Sequence, residues 1–224
     1  WNLFLASTRA GGAKMIAAEG SEGIPFQWWV SSLSNLRFAE DGTRLFFYTA
    51  PISNEVLRER EEDDKGDEKA EDDDDTGNKA KLDLWHWKDP LLQPQQLLQA
   101  ETERKRRYRA AYVFKSGKVV QLANREVPSV SIDYRSSARV AVANTNLPYR
   151  KTLSWDYPGY QDVYVVDLDT GAREKVLERV KWNAAMSPLG KYITWFDAEQ
   201  RRWFAKSVRG AKSKATLISK GIRF

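Results

Sequence analysis

The chain has 224 residues, of which 42% are hydrophobic, and it carries a formal net charge of +5 at pH 7. It contains no cysteine, which excludes disulfides, zinc–thiolate sites and cysteine nucleophiles. No apolar run approaches the roughly 18 residues that a membrane-spanning helix needs, so we expect no membrane association, and the length suffices for one or two domains with a real core.

The first fifty residues are typical of short antiparallel strands. Residues 1–18 hold two alternating runs joined by a glycine pair, and residues 36–48 hold two more, with Leu36 and Phe38 predicted to point inward. The run 45–48 is apolar at every position, which is typical of a strand covered on both faces. Because the chain begins within a strand pattern, without a methionine or a signal peptide, we expect it to be a segment of a longer protein.

Residues 54–79 interrupt this pattern with an excess of acidic side chains. They hold 13 acidic and 5 basic residues, so their net charge is −8 and that of the remaining chain is +13. Apart from Val56 and Leu57 they contain almost no apolar side chain whose burial would offset chain entropy. We predict a disordered acidic insertion here, a loop between strands with no stable secondary structure of its own.

A calcium loop is the sharper alternative for part of this insertion. Five residues match positions 1, 3, 5, 6 and 12 of the EF-hand spacing: Asp72, Asp74, Thr76, Gly77 and Asp83. Position 8, however, is Lys79 where an apolar residue is needed, and no amphipathic helix precedes the loop. The solvated loop is therefore the preferred interpretation, and no metal site is predicted.

A helix is predicted after the insertion. Residues 82–87 (LDLWHW) are typical of a strand with large side chains on both faces, and residues 93–107 favour an inserted helix with a proline in its first turn. Leu97 and Leu98 are expected to face a sheet while residues 104–107 stay in solvent. This is predicted to be the only substantial helix of the chain.

The second half of the chain alternates strands with tight turns. Residues 162–197 (DVYVVDLDTGAREKVLERVKWNAAMSPLGKYITWFD) hold four apolar or β-branched runs separated by turns such as Asp169-Thr170-Gly171. Related hairpins lie on either side. The hairpins of one kind span residues 36–48, 130–144 and 182–196, and those of the other kind span residues 108–122, 163–177 and 203–218.

The alternation of the two hairpin kinds predicts the fold. One hairpin of each kind makes a unit of four strands covering about 40 to 55 residues, which is the period of a β-propeller blade. A β-sandwich has strands at similar spacing but would not alternate two hairpin kinds. We therefore predict an all-β chain in which residues 1–224 form part of a β-propeller, about four antiparallel four-stranded blades arranged as an arc.

Several stretches resemble known propellers. LRFAEDGTRLFF, MSPLGKYITWFD and DVYVVDLDTGAREKV are similar to the WD40-like blades of TolB-type propellers. The stretch LDLWHWKDPLLQPQQ, with the later WDYPGYQDVYVVDL, resembles the N-terminal propeller of bacterial serine peptidases of the prolyl oligopeptidase family, including dipeptidyl peptidases. This resemblance implies a C-terminal α/β-hydrolase domain in the same parent chain, a peptide substrate, and a periplasmic or secreted location.

The catalytic residues of such a hydrolase are not expected in this segment. The nearest approach to a G-x-S-x-G nucleophile elbow is residues 19–23, EGSEG, in which Glu19 replaces the first glycine. The single histidine, His86, precedes any downstream nucleophile, whereas the family order places histidine last. We therefore expect Ser21 to be a turn residue and His86 to be a packed or strand-edge histidine.

Other polar and aromatic residues are also assigned structural roles. Some relatives hold the substrate amino terminus with paired glutamates, but Glu61-Glu62 and Glu101/Glu103 do not occur in a matching context. Exposed aromatic residues are candidates for ligand contact, although packing at sheet edges and blade interfaces is favoured. These aromatic residues are Trp28, Trp29, Trp155 and Tyr157.

Three functional classes remain for comparison. The first is the non-catalytic propeller of a serine peptidase, which binds and gates short peptides. The second is a stand-alone binding or scaffold propeller without an attached enzyme. The third, an enzyme with its own site such as a metal hydrolase, is disfavoured by the single histidine and the lack of cysteine. No cofactor is predicted, and no nucleic-acid partner, because the basic clusters at residues 104–109 and after 201 match no nucleic-acid motif.

Overall fold

The computed structural model describes residues 1–7, 11–64, 85–135, 137–182, 184–208 and 213–222, without the side chains of Glu62 and Asp64. Within these residues the chain forms short strands, two α-helices and one 3-10 helix, η1 (Leu147–Thr152). The helices are α1 (Asn54–Asp64) and α2 (Gln93–Arg104). The strands are β1 (Leu3–Ala6), β2 (Ala13–Ala17), β3 (Trp28–Val30), β4 (Arg37–Phe38), β5 (Arg44–Pro51), β6 (Tyr108–Val113), β7 (Lys118–Gln121), β8 (Ser129–Ser131), β9 (Val140–Thr145), β10 (Gln161–Asp167), β11 (Arg173–Val180), β12 (Ala185–Met186), β13 (Tyr192–Asp197), β14 (Arg202–Ser207) and β15 (Thr216–Leu217).

The strands form four antiparallel sheets that follow one another along the chain. Sheet 1 is β1–β2, sheet 3 is β8–β9–β10–β11 and sheet 4 is β12–β13–β14–β15, each in chain order. Sheet 2 has the order β3–β5–β6–β7, and β4 pairs with the other half of the same edge of β5. Sheets 3 and 4 are thus four-stranded meanders, sheet 2 is one whose outer strand is divided into β3 and β4, and sheet 1 has two strands. Consecutive meanders of this kind are the arrangement of propeller blades. The predicted fold class, an all-β propeller segment, is therefore confirmed.

Neighbouring sheets bury their faces against each other. On β5, Phe46 packs edge-on against Tyr134 from sheet 3 with ring centroids 5.4 Å apart, while Phe47 on the opposite face is fully buried. The prediction that this strand is covered on both faces is confirmed. A second core lies between sheets 3 and 4, where Val163 and Ile193 are buried beside Trp195.

The turns between strands place backbone directly against the neighbouring sheet. The Oδ1 atom of Asp167 accepts the backbone N–H groups of Asp169 and Thr170 at 2.9 and 2.8 Å, which closes the predicted turn. Gly171 follows with φ of +74°, and a Cβ there would lie 2.9 Å from the carbonyl oxygen of Gln121 in sheet 2. Glycine is thus required by both backbone angle and contact.

The prediction of an unstructured insertion is wrong over its first part, because Asn54–Asp64 is helix α1. Composition indicates only how much surface can be buried, whereas Glu and Arg, which make up six of the eleven residues of α1, have a high helix propensity without burial. The Oγ atom of Ser53 accepts the N–H of Val56 at the first turn, and Arg60 pairs with Glu19 at 2.8 Å. Residues 65–79, and the five residues of the calcium alternative, lie outside the described residues.

The predicted inserted helix is confirmed as α2. Its predicted orientation is wrong, and so is the prediction that it is the only substantial helix, because α1 is also present. Leu98 is 84% exposed and Leu97 is also exposed, so the expectation that they face a sheet is wrong. Two adjacent leucines do not make the wide apolar stripe that docks a helix. The helix is held at its start instead, where Gln96 donates to the carbonyl oxygen of Leu91 and to Asp89. Neither helix in the described part of the chain is long and apolar enough to cross a membrane.

Two further strand expectations also fail. Residues 85–87 are not strand, because the carboxylate of Asp89 accepts the N–H of His86 at 3.0 Å and closes a turn. Leu36 and Phe38, predicted to point inward, are exposed because β4 is a two-residue strand at the sheet edge. Phe38 stacks on Phe114 with 6.1 Å between centroids.

Candidate functional site

Ser21 and His86, the two residues closest to a hydrolase motif, each bond locally. The hydroxyl oxygen of Ser21 accepts the N–H of Ala18 at 2.9 Å within a turn, as expected of a turn residue. His86 is exposed in a turn rather than packed or in a strand, and its Nδ1 accepts the N–H of Lys88 at 3.1 Å. Neither contact resembles a nucleophile bonded to its base.

Two of the glutamates considered for an amino-terminus site, Glu101 and Glu103, have basic partners of their own. Glu101 pairs with Lys105 and Glu103 with Arg106, in both cases one helical turn apart. Glu61 is exposed. These pairs at the end of α2 make an ordinary charged helix surface.

The four candidate aromatics divide into one buried residue and three with accessible surface. Trp28 is buried against Tyr108, with ring centroids 4.6 Å apart, so its role is packing, as the sequence favoured. Trp29 is half-buried. Trp155 and Tyr157 project from the β9–β10 connection and are 76% and 88% exposed. They remain available for contact with a ligand.

Exposed aromatic residues collect on one side of the sheets, which we call the aromatic side. In an antiparallel meander, successive connections alternate between the two ends of the sheet. The connection between the second and third strands and the connection to the next sheet therefore lie at the same end. The connections on this side are therefore β2–β3, β5–β6, β7–β8, β9–β10, β11–β12 and β13–β14. Their exposed aromatic residues are Phe26, Trp85, Trp87, Trp155, Tyr157 and Trp182.

Contacts between these connections show that they are neighbours. Lys181, after β11, forms an ion pair with Asp156 in the β9–β10 connection. The bond from Arg106 is the largest cause that lowers the pKa of Glu103 in α2, and the charge of Arg150 in η1 lowers it further, so these two connections also interact electrostatically. This surface was not predicted from the sequence, although the alternating direction of the predicted strands is a signal that indicates it.

A buried carboxylate anchors the β9–β10 connection. Asp162, 3% exposed, accepts the hydroxyl of Tyr149 at 2.7 Å and the N–H of Arg179 at 3.1 Å, and it pairs with Lys175 at 2.9 Å. Burial and the bond to Asp162 together raise the pKa of Tyr149 to about 12. Burial also raises the pKa of Asp162, but the bonds from Tyr149, Lys175 and Arg179 outweigh it and hold the pKa below its ordinary value.

A cleft of about 550 Å³ lies between sheets 2 and 3, on the side opposite the aromatic connections. Asp169 sits in its wall and accepts hydrogen bonds from Arg44 and Arg139. Asp41 and Lys115 also line it. Because Asp169 is paired with Arg44 and Arg139, the main role of these charges is to hold sheets 2 and 3 together.

Three arginines gather around two tyrosines between sheets 2 and 3; we call this group the arginine–tyrosine cluster. The guanidinium carbon of Arg109 lies 4.9 Å from the ring centroid of Tyr48 and 5.6 Å from that of Tyr134. Arg107 lies 5.2 Å from the Tyr48 centroid, and Arg37 lies 4.6 Å from the Tyr134 centroid. Arg109 also donates to both tyrosine hydroxyls. The cluster thus combines fixed cations with aromatic faces.

No group of three or more metal-ligating side chains comes together in the ranges that the structure covers. The predicted absence of metal and cofactor sites stays a prediction, since part of the acidic insertion lies outside those ranges.

Comparison with known proteins finds likeness among solved structures only. No protein-family description and no curated protein sequence matches the chain. Among solved structures, TolB from Acinetobacter baumannii aligns with 92% of this chain at 12% sequence identity and a TM-score of 0.35. The chain spans about a third of the length of that structure, 34%.

Proposed function

We propose that this chain is the non-catalytic propeller segment of a serine peptidase of the prolyl oligopeptidase family, and that it binds and gates short peptide substrates. The resemblance of LDLWHWKDPLLQPQQ and WDYPGYQDVYVVDL to that family's propeller supports the proposal. The proposed partners are an α/β-hydrolase domain of the same parent chain and the peptide itself. A periplasmic or secreted location is part of the same proposal.

The observation that carries peptide binding is the aromatic side. Exposed aromatic rings on adjoining connections form a surface that accepts the apolar side chains and the backbone of an extended peptide. Binding residues are commonly placed on loops held by a rigid scaffold, and here the sheets are that scaffold. Selection by size needs no catalytic side chain: sheet walls exclude a folded protein while an extended peptide passes.

A stand-alone binding propeller is the second candidate, and the same aromatic surface favours it equally. It differs from the first candidate only in the absence of an attached hydrolase. A G-x-S-x-G elbow with a following Asp and His, in the parent protein, supports the first candidate. A parent without such an elbow supports the second.

Fluorescence anisotropy with dye-labelled, unstructured peptides tests peptide binding to the purified chain. We expect saturable binding of the peptides and much weaker binding of a small folded protein. The double variant Trp155→Ala/Tyr157→Ala is expected to weaken peptide binding roughly tenfold, since truncating aromatic side chains at a binding surface commonly costs more than about 1 kcal/mol. Tyr192→Ala, an exposed aromatic at the opposite end of sheet 4, is the control and should bind as the unmodified chain does. Equal binding by all three proteins would contradict the proposal.

A further inference from the structure

The arginine–tyrosine cluster concentrates positive charge without a carboxylate. Tyr48 is shared by Arg107 and Arg109, and Tyr134 by Arg37 and Arg109, so the three guanidiniums surround the same two rings. Among the described residues, no Asp or Glu forms an ion pair with any of the three. Like charges gathered around the same two rings repel one another, and the cation–π contacts with those rings offset part of that repulsion.

Four other arginines of the same chain are paired with carboxylates. Arg44, Arg60, Arg106 and Arg139 each have a carboxylate partner within 2.8 Å. In the cluster, the guanidiniums of Arg107 and Arg109 donate to a carbonyl and to tyrosine hydroxyls, which carry no charge. Other described arginines also have no ion pair, but the cluster is the one place in the described residues where three arginines share two aromatic rings without an anion. Such a local concentration of like charge is typical of a binding site, where local rules of stability are broken for function.

The cluster is accessible and its cations are already positioned. Arg37 and Arg107 are exposed, whereas Arg109, Tyr48 and Tyr134 are half-buried and form the floor. Stacking on the rings restricts the guanidiniums before a ligand arrives, which lowers the entropy lost on binding. Each guanidinium presents a planar fork of N–H donors that matches the two oxygens of a carboxylate.

An apolar side chain beside the cluster indicates what carries that carboxylate. Leu33, whose carbonyl oxygen accepts a hydrogen bond from Arg107, is exposed, whereas Phe38 follows Arg37 in β4 and stacks on Phe114 on the opposite face of the strand. An anion next to an exposed leucine fits a peptide that bears a carboxylate near an apolar residue. A nucleic-acid backbone, with regularly spaced phosphates and no apolar side chains, fits this surface less well.

We propose that the arginine–tyrosine cluster binds a carboxylate of a peptide ligand, through Arg37, Arg107 and Arg109. This inference rests on the proposed peptide-binding function and adds to it a preference for acidic peptides or free carboxyl termini. The ligand supplies the missing negative charge and relieves the repulsion among the three arginines.

Matched peptide pairs test the inference by anisotropy at low salt. One pair has the same sequence with a free carboxyl terminus or an amidated one, and the other differs by Glu or Gln beside a leucine. The unmodified chain should bind each carboxylate peptide roughly ten times more tightly than its neutral partner. The preference should fall several-fold in Arg37→Gln and in Arg107→Gln, and vanish in the double variant. Arg201→Gln, an exposed arginine in the β13–β14 turn of sheet 4, is the charge-matched control and should keep the preference.

The outcomes separate this inference from the proposed function. Thermal melting first establishes that each variant is folded, and both altered arginines are exposed, so folding should persist. Binding of both members of a pair with equal affinity overturns the carboxylate site and leaves peptide binding intact. Binding of neither member overturns the proposed function as well. Displacement of the peptide by inorganic phosphate or single-stranded DNA at equal charge concentration also overturns the inference, because it identifies a general anion site.

Discussion

The guanidinium of Arg44, on β5 of sheet 2, donates two hydrogen bonds to Oδ1 of Asp169, in the β10–β11 turn of sheet 3, at 3.0 and 2.6 Å. The Arg44 side chain is only 7% exposed, so its charge depends on a carboxylate from the next sheet. Arg139 donates to the other carboxylate oxygen at 3.0 and 2.6 Å from a side chain that is 74% exposed. One aspartate therefore joins a buried and an exposed cation.

Removing Asp169 should be far more damaging than removing Arg139. Asp169→Ala leaves the buried Arg44 charge unpaired, and we expect it to lower the free energy of unfolding by about 3–5 kcal/mol. Arg139→Ala breaks only an exposed pair and should lower it by about 0–1 kcal/mol. Urea denaturation of the two variants measures both values. Similar losses in the two variants would show that Asp169 does not hold the sheets together.

Asp169 and Asp162 should make the chain less stable in acid. Burial raises the pKa of Asp169, but the bonds and charges of Arg139 and Arg44 outweigh it, so its pKa lies below the ordinary value, as does that of Asp162. Because these pKa values are lower in the folded state, the unfolded state binds protons at a higher pH than the folded state does. The stabilisation is thus complete above the unfolded pKa of about 3.9 and is lost as pH falls through the native pKa values. Urea denaturation across this acid range should show the loss, and Asp162→Asn should show a shallower pH dependence; an unchanged dependence would contradict the assignment.

Tyr149 provides a second titration with the opposite sign. Its pKa is raised to about 12, by burial and by its bond to Asp162. Its ionisation should therefore appear late in an ultraviolet absorbance titration, and the difference from Tyr149→Phe identifies it. Stability from this hydroxyl is complete below the unfolded pKa of about 10 and is lost as pH rises through 12. In Asp162→Asn the pKa of Tyr149 should move towards its ordinary value; no change would exclude the bond as a cause.

Substitutions of Gly42 and Gly171 distinguish the cost of backbone strain from the cost of contact between sheets. Gly42 and Gly171 have similar positive φ angles, +66° and +74°, but a Cβ on Gly42 meets no atom within 4 Å, whereas one on Gly171 meets Gln121 and Val120 of β7. Gly42→Ala should lower the free energy of unfolding by about 1–2 kcal/mol through the left-handed backbone alone. Gly171→Ala should lower it by roughly 1–3 kcal/mol more, because β7 has to move. Equal losses in thermal or urea denaturation would indicate that the sheets do not touch there.

The strands were predictable because their signals are local. The alternation in β10 and β13 and the Asp-Thr-Gly turn lie within a few residues, and they identify the meanders before any long-range contact is known. The direction of Leu36 and Phe38 was wrong because it depends on whether another strand covers the sheet edge. Helix α1 was missed because charge was taken as evidence of disorder, although its residues favour a helix.

The candidate sites were less predictable because they join residues far apart in the chain. Tyr48 meets Arg109 only because β5 pairs with β6 across the whole insertion, and Tyr134 comes from the next sheet. No spacing rule links such positions. The aromatic side, by contrast, follows from strand direction, so Trp85 and Trp155 were open to prediction once the meander was recognised.

The central claim is that the chain binds peptides without cleaving them. Incubation of the purified chain with a short labelled peptide, followed by anisotropy and mass spectrometry of the same sample, measures both properties at once. A parallel sample receives a fluorophosphonate probe for reactive serines. The account predicts saturable binding, recovery of the peptide intact and no labelling by the probe. Cleavage or labelling that disappears in Ser21→Ala or His86→Ala would contradict it, because those residues would then form a catalytic site.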